Sequence, residues 1–504
     1  MTDMTKKELY EKYDKLIQDL YTLRDKYYIL NKDCKNADER NECLLNKVNE
    51  LALELENTDQ SKFESKASYL ALIGKAYNVL PEFNQKAFDS LTKAIKSDHK
   101  SMDAWNYLGE CYWKKRDFEM CKNCFEQSLN IQKNKLSLRG MSMVLRQLIN
   151  VPSNKEQLQN NNNNANNQQL AKYEQIKNLL EESIKYAKDS LQLDPKDGMS
   201  WYILANCYVS KFFSPFGAQN TQLIKQAISA YNLALKDENN EACFQSDLYF
   251  NKSMISMYEE NWPDVLMCLS KALSLDPFWT EVKDNLVGTI NYLSQLNEMI
   301  STNGKLKAKK FQSLIESFKK SDLGPYADGY FVKNQNDKNE IKVDLVEVNL
   351  KDLQKGLNKN KVLVGKVICG LPSKSTDSLN IVCFTCCIAD SNGDCAAITI
   401  YNLAGGHGLI IGQSVAIPEP YIENIDFKFN ISESLKNQNL IRDVMNSLSL
   451  NNENNDSQNQ NVNLFEFKFN SIRVEYPTVL VVNGKKWTRE KVSSAFFVPK
   501  IIAD

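Results

Sequence analysis

At 504 residues the chain exceeds one ordinary hydrophobic core and is expected to divide into two to four domains. Its composition is globular, 42% hydrophobic and 25% charged, and a formal net charge of -1 excludes a general pull toward nucleic acid or an anionic membrane. The start "MTDMTKKELYEKYDKL" lacks the apolar centre of a signal peptide, no run of about eighteen apolar residues could cross a bilayer, and 13 scattered cysteines suit free thiols, so a soluble intracellular protein is expected.

In chain order, residues 1–66 come first as an amino-terminal helical extension. Leu9, Tyr13, Leu16, Leu20 and Leu23, then Val48, Leu51 and Leu55, recur at helical spacing. A helical hairpin packed on the first repeat, or a free coiled coil, fits that spacing.

Residues 67–300 repeat themselves. "SYLALIGKAYNVL" around Gly74, "AWNYLGECYW" around Gly109 and "SWYILANCYV" around Ala205 share the order large, branched, small, tyrosine. Each is followed by a second helical stretch, and two second helices of the array end in Leu-Asp-Pro, at Asp194-Pro195 and Asp276-Pro277, where proline blocks further helix. A period near 34 residues with two helices per unit resembles the tetratricopeptide repeat, which predicts a superhelix. Five units are expected, at 67–98, 102–134, 135–197, 198–240 and 246–278, with a helix at 280–300 covering the last. An asparagine-rich insert at 151–170 splits the third unit, and its polar composition predicts an external disordered loop before a helix starting near Tyr173.

With Trp105 set as the fourth residue of its unit, the second, fifth, ninth and twelfth residues face the groove of such a superhelix. These are Asp103, Asn106, Glu110 and Trp113 in the second unit, Arg139, Met143 and Arg146 in the third, Tyr202 and Asn206 in the fourth, and Asp247, Phe250 and Met254 in the fifth. Glu281 takes the second position of the covering helix. Asp247 and Glu281 would hold a cationic group and Arg146 an anionic one, with Tyr202 and Phe250 as apolar anchors, so an extended peptide of mixed charge fits. Solvated groove charges without a partner also fit the same pattern.

Residues 301–338 form a basic linker in which Lys305, Lys307, Lys309 and Lys310 cluster with no acid among them, either a solvated face or a dock for phosphate backbone. Residues 339–504 switch to strand-like runs such as "KVLVGKVICGL", "NIVCFTCCIAD", "CAAITIYNL" and "QSVAIPEPYI". Excluding a second asparagine-rich insert at about 435–463, they predict a small closed all-β barrel of the oligonucleotide/oligosaccharide-binding (OB) type. The strands are nearly uncharged, which disfavours single-strand binding by stacked bases. The expected fold class is thus mainly α, a tetratricopeptide-repeat superhelix followed by an OB-fold-like barrel.

An enzyme is poorly supported. Only two histidines occur, His99 and His407, so most schemes with a histidine base lack their central group. Cys121 with Cys124, and Cys383 with Cys386 and Cys387, have zinc-like spacing but fall in different domains, and no metal or cofactor is expected.

The stretches "KAYNVLPEF", "AWNYLGECYWKKRDF", "SMVLRQL", "DGMSWYIL", "GKLKAKK", "LIIGQSVAIPEP" and "VLVVNGK" together closely resemble the tetratricopeptide repeat protein five (Strap) family, from about Ala67 to Lys485. The resemblance implies an adaptor that recognises the amino-terminal peptide of nascent tubulin at the ribosome and triggers decay of tubulin messenger RNA through a recruited decay factor. It implies that Arg146 meets the peptide's acid, that Asp247 and Glu281 meet its arginine, and that Lys307 and Lys309 are the best matches for a ribosomal RNA contact. The resemblance also implies a nuclear alternative, a stress-responsive coactivator scaffolding an acetyltransferase. A cytoplasmic location with nuclear presence is implied by the pair.

Overall fold

Glycine at the eighth position of a repeat helix is a packing requirement. A Cβ on Gly74 would stand 2.5 Å from Leu91 of the following helix, and one on Gly109 would stand 2.9 Å from the Phe125 ring. The two helices of a unit approach as closely as these positions allow. The structure, a computed structural model, describes residues 5–149, 165–214, 220–236, 240–328, 330–333, 340–371, 383–435, 437–450 and 463–492. Its internal contacts gather into two units, one holding the chain through Glu259 together with Lys271–Trp279, the other Glu260–Ser270 and the chain from Thr280 to Lys500.

In the first unit, α1 (Lys6–Leu30) and α2 (Ala37–Asn57) precede four helix pairs. These are α3 (Lys66–Asn78) with α4 (Gln85–Ser97), α5 (Met102–Lys114) with α6 (Phe118–Ile131), α7 (Lys135–Leu148) with α8 (Ala165–Leu193), and α9 (Gly198–Phe212) with α10 (Thr221–Ala234). Helices α11 (Ser246–Tyr258) and α12 (Trp262–Leu275) form the fifth pair in sequence, and α12 passes from the second unit into the first. Helix starts are set by short polar side chains that accept the free N–H groups of the first turn: Ser65, Asn84, Asp117, Asn134 and Asp197 all do so. The Leu-Asp-Pro ends also behave as expected, α8 stopping at Leu193 and α12 at Leu275. Helix α8 differs in its start, which is Ala165 rather than a position near Tyr173, so the tail of the first insert is helical; residues 150–164 lie outside the described chain.

The amino-terminal segment is a hairpin rather than a free coil. Tyr13, Ile17 and Leu20 of α1 share a core with Val48, Leu51 and Leu55 of α2 and with Ala71 and Leu72 of α3.

The second unit is built on a sheet. Tyr330–Lys333 (β1) and Glu340–Val343 (β2) form a separate antiparallel pair. The main sheet contains β3 (Val346–Val348), β4 (Gly356–Leu357), β5 (Lys361–Gly370), β6 (Cys383–Ala389), β7 (Cys395–Tyr401), β8 (Ser414–Pro418), β9 (Tyr421–Asn430), β10 (Leu464–Val474), β11 (Val481–Val482) and β12 (Lys485–Lys486). Its order is β12-β11-β8-β5-β6-β7-β10-β9-β4, antiparallel except for the β7–β10 and β3–β5 pairs. The expected closure takes an indirect form. No hydrogen-bonded ladder closes the ring among the described residues; instead β8 pairs with β5, β9 pairs with β10, and only Glu419 and Pro420 separate β8 from β9. One bent stretch of chain therefore joins the two sides of the sheet. Glu419 has φ 42°, and its N–H donates to the Lys361 carbonyl at 2.7 Å.

Helix α13 (Thr280–Ser301), expected to cover the last repeat, belongs to this second unit. Its Tyr292 hydroxyl lies 3.2 Å from Thr385 Oγ1, and its Asn297 side chain accepts the Lys468 N–H at 2.8 Å. The stretch expected as a linker carries α14 (Ala308–Ile315) and a 3-10 segment, Lys320–Asp328, whose Tyr326 hydroxyl donates to the Val479 carbonyl at 2.6 Å. The second insert, expected at about 435–463, follows a short helix, Ile431–Leu435, and begins with the helix Gln438–Leu450.

Candidate peptide groove and basic face

The expected groove positions separate into two classes. Fifth-position residues are interior in three helices: Asn106, Tyr202 and Phe250 are 3%, 1% and 1% exposed. The first helices of neighbouring units converge on the inner side of the superhelix, so a fifth residue meets the next first helix. Ser137 of α7 donates to Asn106 Oδ1 of α5, and Asn251 of α11 donates to the Tyr202 hydroxyl of α9 at 3.0 Å. Asn206, at the ninth position, is also fully buried and accepts from the Tyr231 hydroxyl. Phe250 stacks 5.0 Å from Trp279. Tyr202, Asn206 and Phe250, expected as exposed ligand contacts, are therefore occupied in holding repeats together.

The charged positions sit differently. Asp247 is half-buried in the first turn of α11, and Glu281 is half-buried in the first turn of α13, in the second unit. Arg146 lies in the last turn of α7, 6% exposed. Arg139 pairs with Asp197 at 3.6 Å, and Met143 joins the apolar cluster around Ile203 and Leu204.

The amino-terminal half of the groove has an occupant, which is α1. The Tyr10 hydroxyl donates to Asp103 at 3.1 Å, and Asp14 pairs with Lys75, the ninth residue of the first repeat helix. Asn78, the twelfth, donates to Glu110 at 2.7 Å. Burial raises the Glu110 carboxyl above its ordinary value against the pull of Lys114, Arg24, Arg139 and Lys75. Lys75 and Asn78 are groove residues that sequence reasoning missed, although aligning Leu70 with Trp105 marks them.

The lysine cluster is exposed at all four positions. Lys305 is paired with Glu298 of α13 at 2.8 Å, so an acid does face the cluster. Lys307 is the N-cap of α14, with Lys309 and Lys310 in its first turn. Three ammonium groups thus stand at the positive end of a helix dipole, an arrangement that costs the helix stability and favours an incoming anion.

Cys121 and Cys124 are interior, and burial pushes the Cys124 thiol up to about 12. Cys383 is likewise pushed up to about 12, and no group of three or more candidate ligands that could hold a metal is found among the described residues.

Comparison with known proteins agrees with this architecture. The profile described as "Tetratricopeptide repeat protein 5 OB fold domain" matches residues 344–496, and a tetratricopeptide repeat profile matches residues 102–135. Human tetratricopeptide repeat protein 5 is 33% identical over 479 residues, covering 95% of this chain and 94% of the human protein. The chain belongs to the tetratricopeptide repeat protein 5 family. The bovine member is 33% identical over 485 residues, covering 95% of this chain and 94% of its own length. Among solved structures, YrrB, described as a TPR protein with an unusual peptide-binding site, is 16% identical, with a TM-score of 0.27, and covers 45% of this chain and 92% of its own. Family membership makes the superhelix a protein-interaction scaffold, and the sheet of the second unit is the family's OB fold. No helix among the described residues is long and apolar enough to cross a membrane.

Proposed function

We propose that the protein is the adaptor that reads the amino-terminal peptide of nascent tubulin as it leaves the ribosome and recruits a decay factor to the tubulin messenger RNA. The observation that carries this reading is the charge pair on the repeat helices of the first unit: Arg146 closing α7 and Asp247 in the first turn of α11. Arg146 takes the peptide's acidic residue and Asp247 its arginine, each through a charge-assisted hydrogen bond. Lys307, Lys309 and Lys310 dock on ribosomal RNA near the nascent chain through its phosphates, without reading sequence. Each contact is weak alone, and together they gain from effective concentration, so selection requires a ribosome and the right chain at once. The site of action is then the cytoplasm.

The test is recovery of translating ribosomes that display a tubulin amino-terminal peptide. Arg146→Ala or Asp247→Ala is expected to lower recovery of tubulin chains at least tenfold, since truncating one partner of a desolvated charge pair costs about 2 to 5 kcal/mol. Equal recovery of tubulin and control chains by every variant would remove the reading.

A further inference from the structure

Helix α1 does more than cover the first repeat. Its 25 residues span ~37 Å, and its contacts run along the first unit from one end of the repeat array to the other. Tyr10 and Asp14 hold Asp103 and Lys75 on the first two repeats. Near its other end Arg24 lies within electrostatic reach of Glu110 and pairs with Asp25 at 2.7 Å. Asp25 accepts from the Gln245 side chain at 3.4 Å, and the Lys26 ammonium sits 4.0 Å from the centre of the Phe244 ring. Tyr28 meets Phe278 edge-on at 5.5 Å. Polar contacts therefore run from Arg24 through Asp25 to Gln245, two residues before Asp247, with Glu110 of the second repeat in the electrostatic field of Arg24.

Superhelices of this kind contact only nearest neighbours, so the separation between distant repeats is soft. A helix laid across the groove removes that softness. We infer that α1 is a brace and that Asp25 and Lys26 are positioning residues: by gripping Gln245 and Phe244 they fix the start of α11, and with it the Asp247 carboxylate, relative to the repeats that carry Arg146. The cleft beside the brace, lined by Tyr28, Arg40, Leu80, Ser246, Phe278 and Trp279, opens next to that same turn. The inference deepens the proposed function and rests on it for the identity of the peptide, but the bracing itself does not.

Two measurements on the full chain separate these. Hydrogen exchange without any peptide compares wild type with Asp25→Ala/Lys26→Ala, with Lys7→Ala as an exposed control on the same helix. Exchange is expected to rise severalfold in residues 241–250 of the double variant only. Asp25→Asn, which keeps an acceptor for Gln245, should restore protection. Unchanged exchange there overturns the brace. The second measurement is binding of a free tubulin amino-terminal peptide and of its counterpart with the arginine replaced by alanine. The double variant should lose about fivefold for the first and nothing for the second, the scale of changes that act through a neighbouring group. Tighter binding on disruption would overturn the inference in the other direction, making α1 a competitor for the groove. Altered exchange with no peptide binding even by wild type would remove the tubulin reading and leave the brace standing.

Discussion

Lys114 shows how a single side chain can tie stability to pH. The side chain is half-buried in the first unit, its ammonium donating to the Asn78 side chain at 2.9 Å and to the Leu80 carbonyl at 2.8 Å. Lost hydration pushes it down to about 8 from 10.5, opposed by the Glu110 carboxylate. Between those values the unfolded chain holds a proton that the folded chain has released, so this group's contribution to stability rises with pH through that window. Buried thiols such as Cys111, pushed up to about 12, work in the opposite sense above their ordinary value. The comparison that isolates the lysine is therefore wild type against Lys114→Met, which share the same cysteines. The difference in urea midpoint is expected to move in favour of wild type by the equivalent of about 1–2 kcal/mol from pH 7.5 to 9.5. A flat difference would show that Lys114 stays fully protonated in the folded protein.

At the scale of elements, α14 presents a conflict between stability and use. Lys307, Lys309 and Lys310 occupy the N-cap and first turn, where cations oppose the helix dipole. Replacing Lys307 and Lys309 by alanine should make α14 slightly more stable, by about 0.3–1 kcal/mol, and at the same time weaken binding to a polyanion such as ribosomal RNA. Amide protection across residues 308–315 and the salt dependence of RNA binding check the two halves separately. Lower protection with unchanged RNA binding would mark the lysines as plain surface.

Other elements show what a sequence does and does not reveal. The repeat helices were legible because their glycines, capping residues and terminal prolines act locally, within one helix pair. The inner surface was less so: position within a repeat says which way Tyr202 and Phe250 point, but only the approach of the next helix decides that they are covered. Strand β9 was missed because it alternates buried Ile422, Ile425 and Phe429 with charged residues and lacks the apolar run of its neighbours. The helix Gln438–Leu450 was hidden by the asparagines after it, although Leu440, Ile441, Val444 and Leu448 carry a helical stripe and all are buried. The position of α1 along the groove depends on contacts with residues more than two hundred places later, such as Gln245. No local pattern encodes that.

On the scale of the whole molecule, neither unit is a continuous stretch of chain, because α12 begins in one and ends in the other. The turn before it carries Glu260, a buried carboxylate in the second unit. It accepts from the Tyr401 hydroxyl at 2.9 Å and from Ser471 at 3.2 Å, and pairs with Arg473 at 3.5 Å. Burial raises its proton affinity, and Arg473 draws it back down. Removing one member of such a pair leaves the other charge stranded, so Glu260→Ala is expected to destabilise the second unit by about 3–5 kcal/mol, whereas Glu260→Ala/Arg473→Met should recover most of that loss. Urea unfolding monitored by exchange in residues 395–401 measures both; additive losses would show that the pair contributes little as a pair.

The same pair sets a clock on synthesis. Glu260 leaves the ribosome 211 residues ahead of Ser471, its later hydrogen-bond donor, an interval of roughly 10 to 40 s at ordinary elongation rates. Until Tyr401 of the seventh strand follows, the turn that opens α12 has an acid and none of its sheet partners, and Ser471 and Arg473 arrive only with the tenth strand. A chain cut short before the tenth strand keeps a buried acid without its arginine, so the turn that opens α12 gains its charge partner only once that strand has been made.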